Sequence, residues 1–257
     1  MMYFEHTGFF DHLADAIFHF REAAASSESQ GDLGALYRTN RHARSSVTAS
    51  TFTVESAANC LIGTLEVSQK LKDEIDKLSL LAKLDLYANM TVGKSLSRRD
   101  ARFGKMIELI RARNALVHPC SKKTGFGVEG MQESVADYVV GVNIEGKTYA
   151  SLDISKWPMF WSHHSAANVL VATCDFLTWY FKDILVYNAK QVSELLSSRM
   201  VFGDHVRVAV LEEIYDEIRA VGSQFDFSYL SIPDALEPDR RKMMYQKVSS
   251  WFTGKKA

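Results

Sequence analysis

The stretch Arg111-Ala112-Arg113-Asn114-Ala115-Leu116-Val117-His118-Pro119 closes what reads as an amphipathic helix, and it gathers a guanidinium, an amide and an imidazole at that helix's end. Upstream, Phe103, Ile107, Ile110, Asn114 and Val117 recur at helical spacing, so an apolar stripe is interrupted by one amide just before the helix stops. A polar side chain on an inward face demands a partner. Pro119 disfavours helical backbone at the residue before it, which puts His118 in the last turn or the cap. In a straight helix Arg113 and His118 point roughly 140° apart, at about 100° per residue. A loosened terminus lets the imidazole swing towards Arg113, and Asn114 already shares its face.

Working outward, the same periodicity predicts three more long helices. One spans about 36–67, with Val54, Ala58, Leu61 and Leu65 inward, and another about 70–89, with Leu71, Ile75, Leu78, Ala82 and Leu86. The motif helix opens near Ser97 and ends at Pro119; a last one, about 161–187, presents Val169, Thr173, Phe176 or Leu177, Tyr180 and Ile184. Such a set predicts a mainly α fold, an antiparallel four-helix bundle. Between its third and fourth helices, residues 135–144 and 147–154 carry β-branched and aromatic side chains around Glu145-Gly146, which predicts an inserted β-hairpin. Near the start, Phe9 or Phe10, Leu13, Ile17 and Phe20 predict a short amphipathic helix, followed by a Ser- and Gly-containing connector. Another helix is expected from Asp204 to about Val221, with Val206, Val210, Ile214 and Ile218 inward, and a last one after Pro238-Asp239. The expected organisation is an N-terminal helical extension (1–34), a bundle (35–188) with its hairpin at about 128–156, and a C-terminal helical extension (189–257).

Arg113-Asn114, a short apolar run and His118 at the end of a bundle helix resemble the signature of the HEPN superfamily. Arginine at similar spacing before histidine also occurs at Arg199 with His205 and at Arg111 with His118, but only Arg113 sits inside one periodic helix with Asn immediately after it. The resemblance implies a metal-independent endoribonuclease with Arg113, Asn114 and His118 as its catalytic residues, active as a homodimer and needing no cofactor. It would act as a toxin or defence effector on single-stranded RNA, with an antitoxin or regulatory protein as a further partner. Other proteins resembling this family are catalytically silent modules that bind a nucleotide or a protein.

Whole-chain charge says little, at a formal net charge of −1. Its distribution says more. From Lys94 to Lys123 the bases are Lys94, Arg98, Arg99, Arg102, Lys105, Arg111, Arg113, Lys122 and Lys123, against only Asp100 and Glu108. A second, acid-free stretch from Leu33 to Val54 contributes Arg38, Arg41 and Arg44. If both share a face, Arg98, Arg99, Arg102, Arg111, Lys122, Lys123, Arg41 and Arg44 would line a groove for an RNA backbone. The alternative is a solvated helix face paired with Glu212, Glu213, Asp216 and Glu217.

The remaining features restrict the function classes. The 257 residues suffice for one good core. Cys60, Cys120 and Cys174 form no CxxC pair and read as reduced thiols of a cytoplasmic protein; the first residues lack the basic and apolar regions of a secretory signal. The apolar stretch 166–187 carries Asp175, Lys182 and Asp183 and reads as a buried helix with no membrane role. His163-His164 has no third ligand at a supporting spacing, and His6, His12 and His19 read as a surface stripe whose members, about 10 Å apart over two turns, cannot share a metal. Glycine-rich phosphate loops, GxSxG turns and paired zinc-ligand motifs are absent, which argues against a nucleotide triphosphatase, an α/β-hydrolase and a zinc enzyme.

Overall fold

The computed structural model describes residues 2–28, 33–119, 127–129, 141–143, 148–203 and 205–237. A short strand β1 (Met2–Glu5) leads into α1 (Phe9–Ser27), whose Phe9, Leu13, Ala16, Ile17 and Phe20 are buried at three- and four-residue spacing. The longest helix, α2 (Leu33–Gly63), has 31 residues and runs about 46 Å at 1.5 Å per residue. Small buried residues on its inner side, Ala43, Ser46, Val47 and Ser50, let α1 approach closely. The Ser46 hydroxyl donates to the Ala16 carbonyl across that contact at 2.8 Å. One polar side chain is thereby satisfied in an apolar seam.

The expected second helix is two. The segment α3 (Gln69–Asp76), capped by the Ser68 side chain, stops before Ser79 and α4 (Leu80–Val92) starts afresh. The end of α4 is set by Gly93, whose φ of 66° lets its N–H reach back to Ala88 and Asn89 carbonyls. The motif helix α5 (Ala101–Val117) is capped by Asp100, which accepts from the Arg102 N–H at 2.8 Å. Its buried residues are Phe103, Met106, Leu109 and Ala112, with Ile107, Ile110 and Leu116 partly buried. The inward stripe is therefore rotated from the expected one, and Asn114 and Val117 are exposed. Both choices fit a helical period; Met106 and Leu109 fill the core better than an amide could.

The insertion also differs in its pairing. Strand β2 (Gly127–Glu129) runs antiparallel to β3 (Gly141–Asn143), while β4 (Thr148–Tyr149) folds back on β5 (Ile154–Ser155). The expected 147–154 strand is thus itself a tight hairpin, reversed through Asp153 at φ 52° and held to α5 by Glu108, which accepts from the Ser151 and Leu152 N–H groups at 2.8 and 3.1 Å. Residues 135–140 and 144–147 lie outside the described residues.

After Trp161, α6 (His163–Thr178) opens with a reciprocal Ser162–Ser165 cap and widens into a π-turn at Trp179–Ile184. There the Tyr180 hydroxyl donates to the Leu84 carbonyl at 2.8 Å, locking the turn onto α4. Next come α7 (Ala189–Leu196) and the hairpin β6 (Arg199–Phe202) and β7 (His205–Val208), with β1 against β6 to complete a three-stranded antiparallel sheet. A helix expected from Asp204 is here a strand followed by α8 (Glu212–Ala220). Gly203 turns the hairpin at φ 59°, and alternating Val206 and Val208 suit a strand as well as a helix start. The helix expected after Pro238 lies outside the described residues. The fold is mainly helical with small antiparallel sheets. Among the described residues all eight α-helices contribute to one buried apolar cluster, with α2 touching α1, α4, α5 and α6. Among the described residues no helix is long and apolar enough to cross a membrane.

Candidate functional site

The end of α5 gathers the motif residues on the surface. His118 leaves the helix at φ −123°, ψ 65° while its N–H still bonds the Asn114 carbonyl at 2.9 Å, so it is the cap that Pro119 dictates. The imidazole is exposed. Arg113 donates from Nη1 to the Asn114 Oδ1 at 3.0 Å and from Nη2 to Glu55 Oε2 at 3.3 Å, and its guanidinium lies over the Phe52 ring at 5.2 Å. Asn114 therefore finds its partner in the neighbouring guanidinium, not in the core. The Arg113 Nε–H is buried without an acceptor among the described residues. Phe52 and Glu55 both belong to α2, so the long central helix fixes the motif arginine.

Phe52 also opens onto a second group of side chains. Its other neighbour is the His12 ring, 5.4 Å away and tilted by 45°. His12, Asp15 and His19 of α1 face Arg41, Arg44, Ser45, Thr48 and Phe52 of α2 across a cleft of about 460 Å³ that Leu116 of α5 also lines. His19 Nδ1 lies 3.1 Å from His42 Nδ1, so one ring nitrogen donates and the other accepts. Burial, reinforced by His42, pulls the His19 pKa below its ordinary value of 6.5, against the opposing pull of Asp15 and Glu22. His12 and His19 are thus half-buried cleft residues and no surface stripe. His6 is apart from them, exposed and within reach of Ser198 and Asp11.

The expected basic residues divide into groups. Arg41 and Arg44 line the cleft beside the motif. Arg111 is exposed two residues before Arg113, where its charge acts on Tyr149, whose pKa burial raises. Arg98, Arg99 and Arg102 lie at the opposite end of α5, about 25 Å from His118 by the helix rise. There Arg102 bonds Asp100, stands 3.9 Å from Asp183 and covers Trp179. Lys122 and Lys123 lie outside the described residues. In the acidic tail helix, Glu217 pairs with Arg21 at 2.7 Å, and Glu212 and Asp216 hold Arg219.

Other candidate sites carry less. His163 and His164 pack ring to ring at 3.9 Å with no third ligand, and among the described residues no group of three His, Cys, Asp or Glu side chains could hold a metal ion. Cys60 is shielded, with burial pushing its thiol pKa to about 11; Cys174 is more deeply buried and shifted the same way.

Comparison with protein-family models, with curated proteins and with solved structures finds no match to this chain in any of the three.

Proposed function

We propose that the chain is a metal-independent endoribonuclease of HEPN type, an antiparallel four-helix bundle of α2, the α3–α4 pair, α5 and α6 that cleaves single-stranded RNA as a toxin or defence effector. One observation carries the reading: Arg113 and Asn114 are bonded to each other at the helix end where His118 is exposed. In this chemistry a 2′-hydroxyl attacks the adjacent phosphorus, forming the P–O2′ bond as the P–O5′ bond breaks. One proton leaves the 2′-oxygen, another reaches the departing 5′-oxygen, and the ends are a 2′,3′-cyclic phosphate and a 5′-hydroxyl. His118 moves a proton, since imidazole titrates near neutral pH, and Arg113 balances charge on the non-bridging oxygens. Asn114 orients the guanidinium. A two-fold contact along α5 and α6 would bring two copies of His118 to one cleft and supply both acid and base.

The test is a labelled single-stranded RNA incubated with the protein in EDTA. Cyclic-phosphate ends with the wild type and none with His118→Ala support the proposal; intact RNA at micromolar protein across neutral pH refutes it. A second reading, a catalytically silent helical module, is favoured by one contact: Glu55 already neutralises Arg113. In that case Arg113 holds α5 to α2 and the protein binds a nucleotide or another protein.

A further inference from the structure

The cleft between α1 and α2 has a composition that the motif does not explain. Along α2, Arg41, Arg44 or Ser45, Thr48 and Phe52 recur at three- to four-residue steps and so share one face. Across from them, His12 and His19 stand two turns apart on α1. Arg21, Arg102, Arg113, Arg199 and Arg219 each reach a carboxylate, whereas Arg41 and Arg44 form no ion pair among the described residues. The Nε–H of Arg44 is moreover buried with no acceptor among the described residues. A half-buried guanidinium without a counter-charge is costly unless an anion arrives to complete it. Among the described residues Asp15 is the one carboxylate lining the cleft.

We infer that this cleft binds a phosphate group of the RNA backbone, with Arg41 and Arg44 gripping its oxygens and His19 donating to it. The inference deepens the ribonuclease reading and rests on it only for the source of the phosphate. Planar guanidiniums match phosphate oxygens in pairs, and imidazole N–H groups add directional donors. Leu116, two residues before His118 in the chain, also lines the cleft, so the site adjoins the motif helix. Protonation follows from the same geometry. The groups around His19 are Asp15 and Glu22 on its own helix and Arg41 and His42 on α2, and without a ligand the neutral ring is favoured. A bound anion reverses that preference, so binding draws protons from solution.

Calorimetry with inorganic phosphate and fluorescence anisotropy with a short 2′-O-methyl RNA, which binds but cannot be cleaved, test the proposal on the full chain. Phosphate is expected to perturb the His19 ring resonances, with proton uptake that appears as a buffer-dependent heat near pH 7. Arg41→Ala with Arg44→Ala should weaken the oligonucleotide roughly tenfold or more and lower its logarithmic salt slope by about 0.7, the value for one neutralised phosphate. Asp15→Asn, at an exposed position, should tighten it several-fold without touching the fold. Wild-type affinity and slope in the folded double variant, or imidazole resonances that ignore phosphate, would overturn the inference. So would a free nucleotide that binds more tightly than the strand. If wild-type protein binds phosphate here yet leaves RNA intact, the ribonuclease reading fails and this site stands. If it cleaves RNA equally well without Arg41 and Arg44, only the present inference falls.

Discussion

Glu55 offers the sharpest perturbation of the motif, because it stands where a phosphate would have to compete. Its carboxylate is 3.3 Å from the Arg113 Nη2, with the two side chains 42% and 22% exposed. At an effective dielectric of about 20 that spacing corresponds to about 5 kcal/mol of gross attraction. Solvent reaches both partners, and measured pairs of this kind retain only about 0.5–1 kcal/mol once desolvation and side-chain entropy are counted. Glu55→Gln keeps the shape and an acceptor oxygen while removing the charge, so the fold should survive with a melting temperature within a few degrees of wild type. The freed guanidinium should bind RNA phosphate about two- to five-fold more tightly, since about 1.4 kcal/mol is tenfold. Anisotropy with a 2′-O-methyl oligonucleotide at low salt measures it directly. Unchanged or weaker binding in a folded Glu55→Gln protein would show that Arg113 never meets the strand, and the structural reading of that ion pair would replace the catalytic one.

Other outcomes follow from the same geometry. Arg113→Ala should abolish RNA cleavage, whereas Arg111→Ala, exposed and on another face, should only weaken binding and flatten its salt dependence; equal loss of cleavage in both would refute the assignment. Light scattering should give the mass of a dimer, and mixing inactive Arg113→Ala and His118→Ala chains should restore part of the activity; a monomer that still cleaves RNA rules out a shared site. Leu84 is fully buried in the common core, so Leu84→Ala should cost about 3 kcal/mol in urea unfolding, and a loss below 1 kcal/mol would contradict its placement. Because the fold lowers the His19 pKa, the unfolded chain binds the extra proton first: its contribution to stability is complete above the ordinary pKa of 6.5 and is lost as pH falls from there through the folded value. Replacing His19 by Gln should flatten the decline in urea midpoint between pH 7.5 and 5.5, and an unaltered slope would exclude His19 as a source.

Helix existence was legible in this sequence wherever an apolar stripe was long, and boundaries were legible where a residue's chemistry forced them. Pro119 fixes the end of α5 and the place of His118, and Gly93 marks the end of α4, because each acts through its own backbone. What periodicity could not give was the phase of α5. The series Phe103, Ile107, Ile110 and the series Phe103, Met106, Leu109, Ala112 are both helical stripes, and the choice belongs to the partner helices. The same limit explains β7, where Val206 and Val208 alternate for only a few residues and the pairing with β6 decides.

The motif and its surroundings show that limit most clearly. Arg113, Asn114 and His118 are neighbours in the chain, so sequence alone placed them together. Glu55 and Phe52 are not: they meet Arg113 only because α2 is long enough to pass beneath the end of α5, and no local signal marks them. His12 and His19 did carry a signal, a seven-residue spacing that puts both on one face of α1. That spacing fits equally a solvated stripe or a cleft wall, and the difference lies in the opposing helix. The small residues Ala43, Ser46 and Ser50 draw α1 against α2, while Arg41, Arg44, Ser45 and Thr48, interleaved with them, face the cleft one step around the helix. Close packing on one side of α2 thus creates the polar recess on the next, and the core residues that secure the fold set the width of the site.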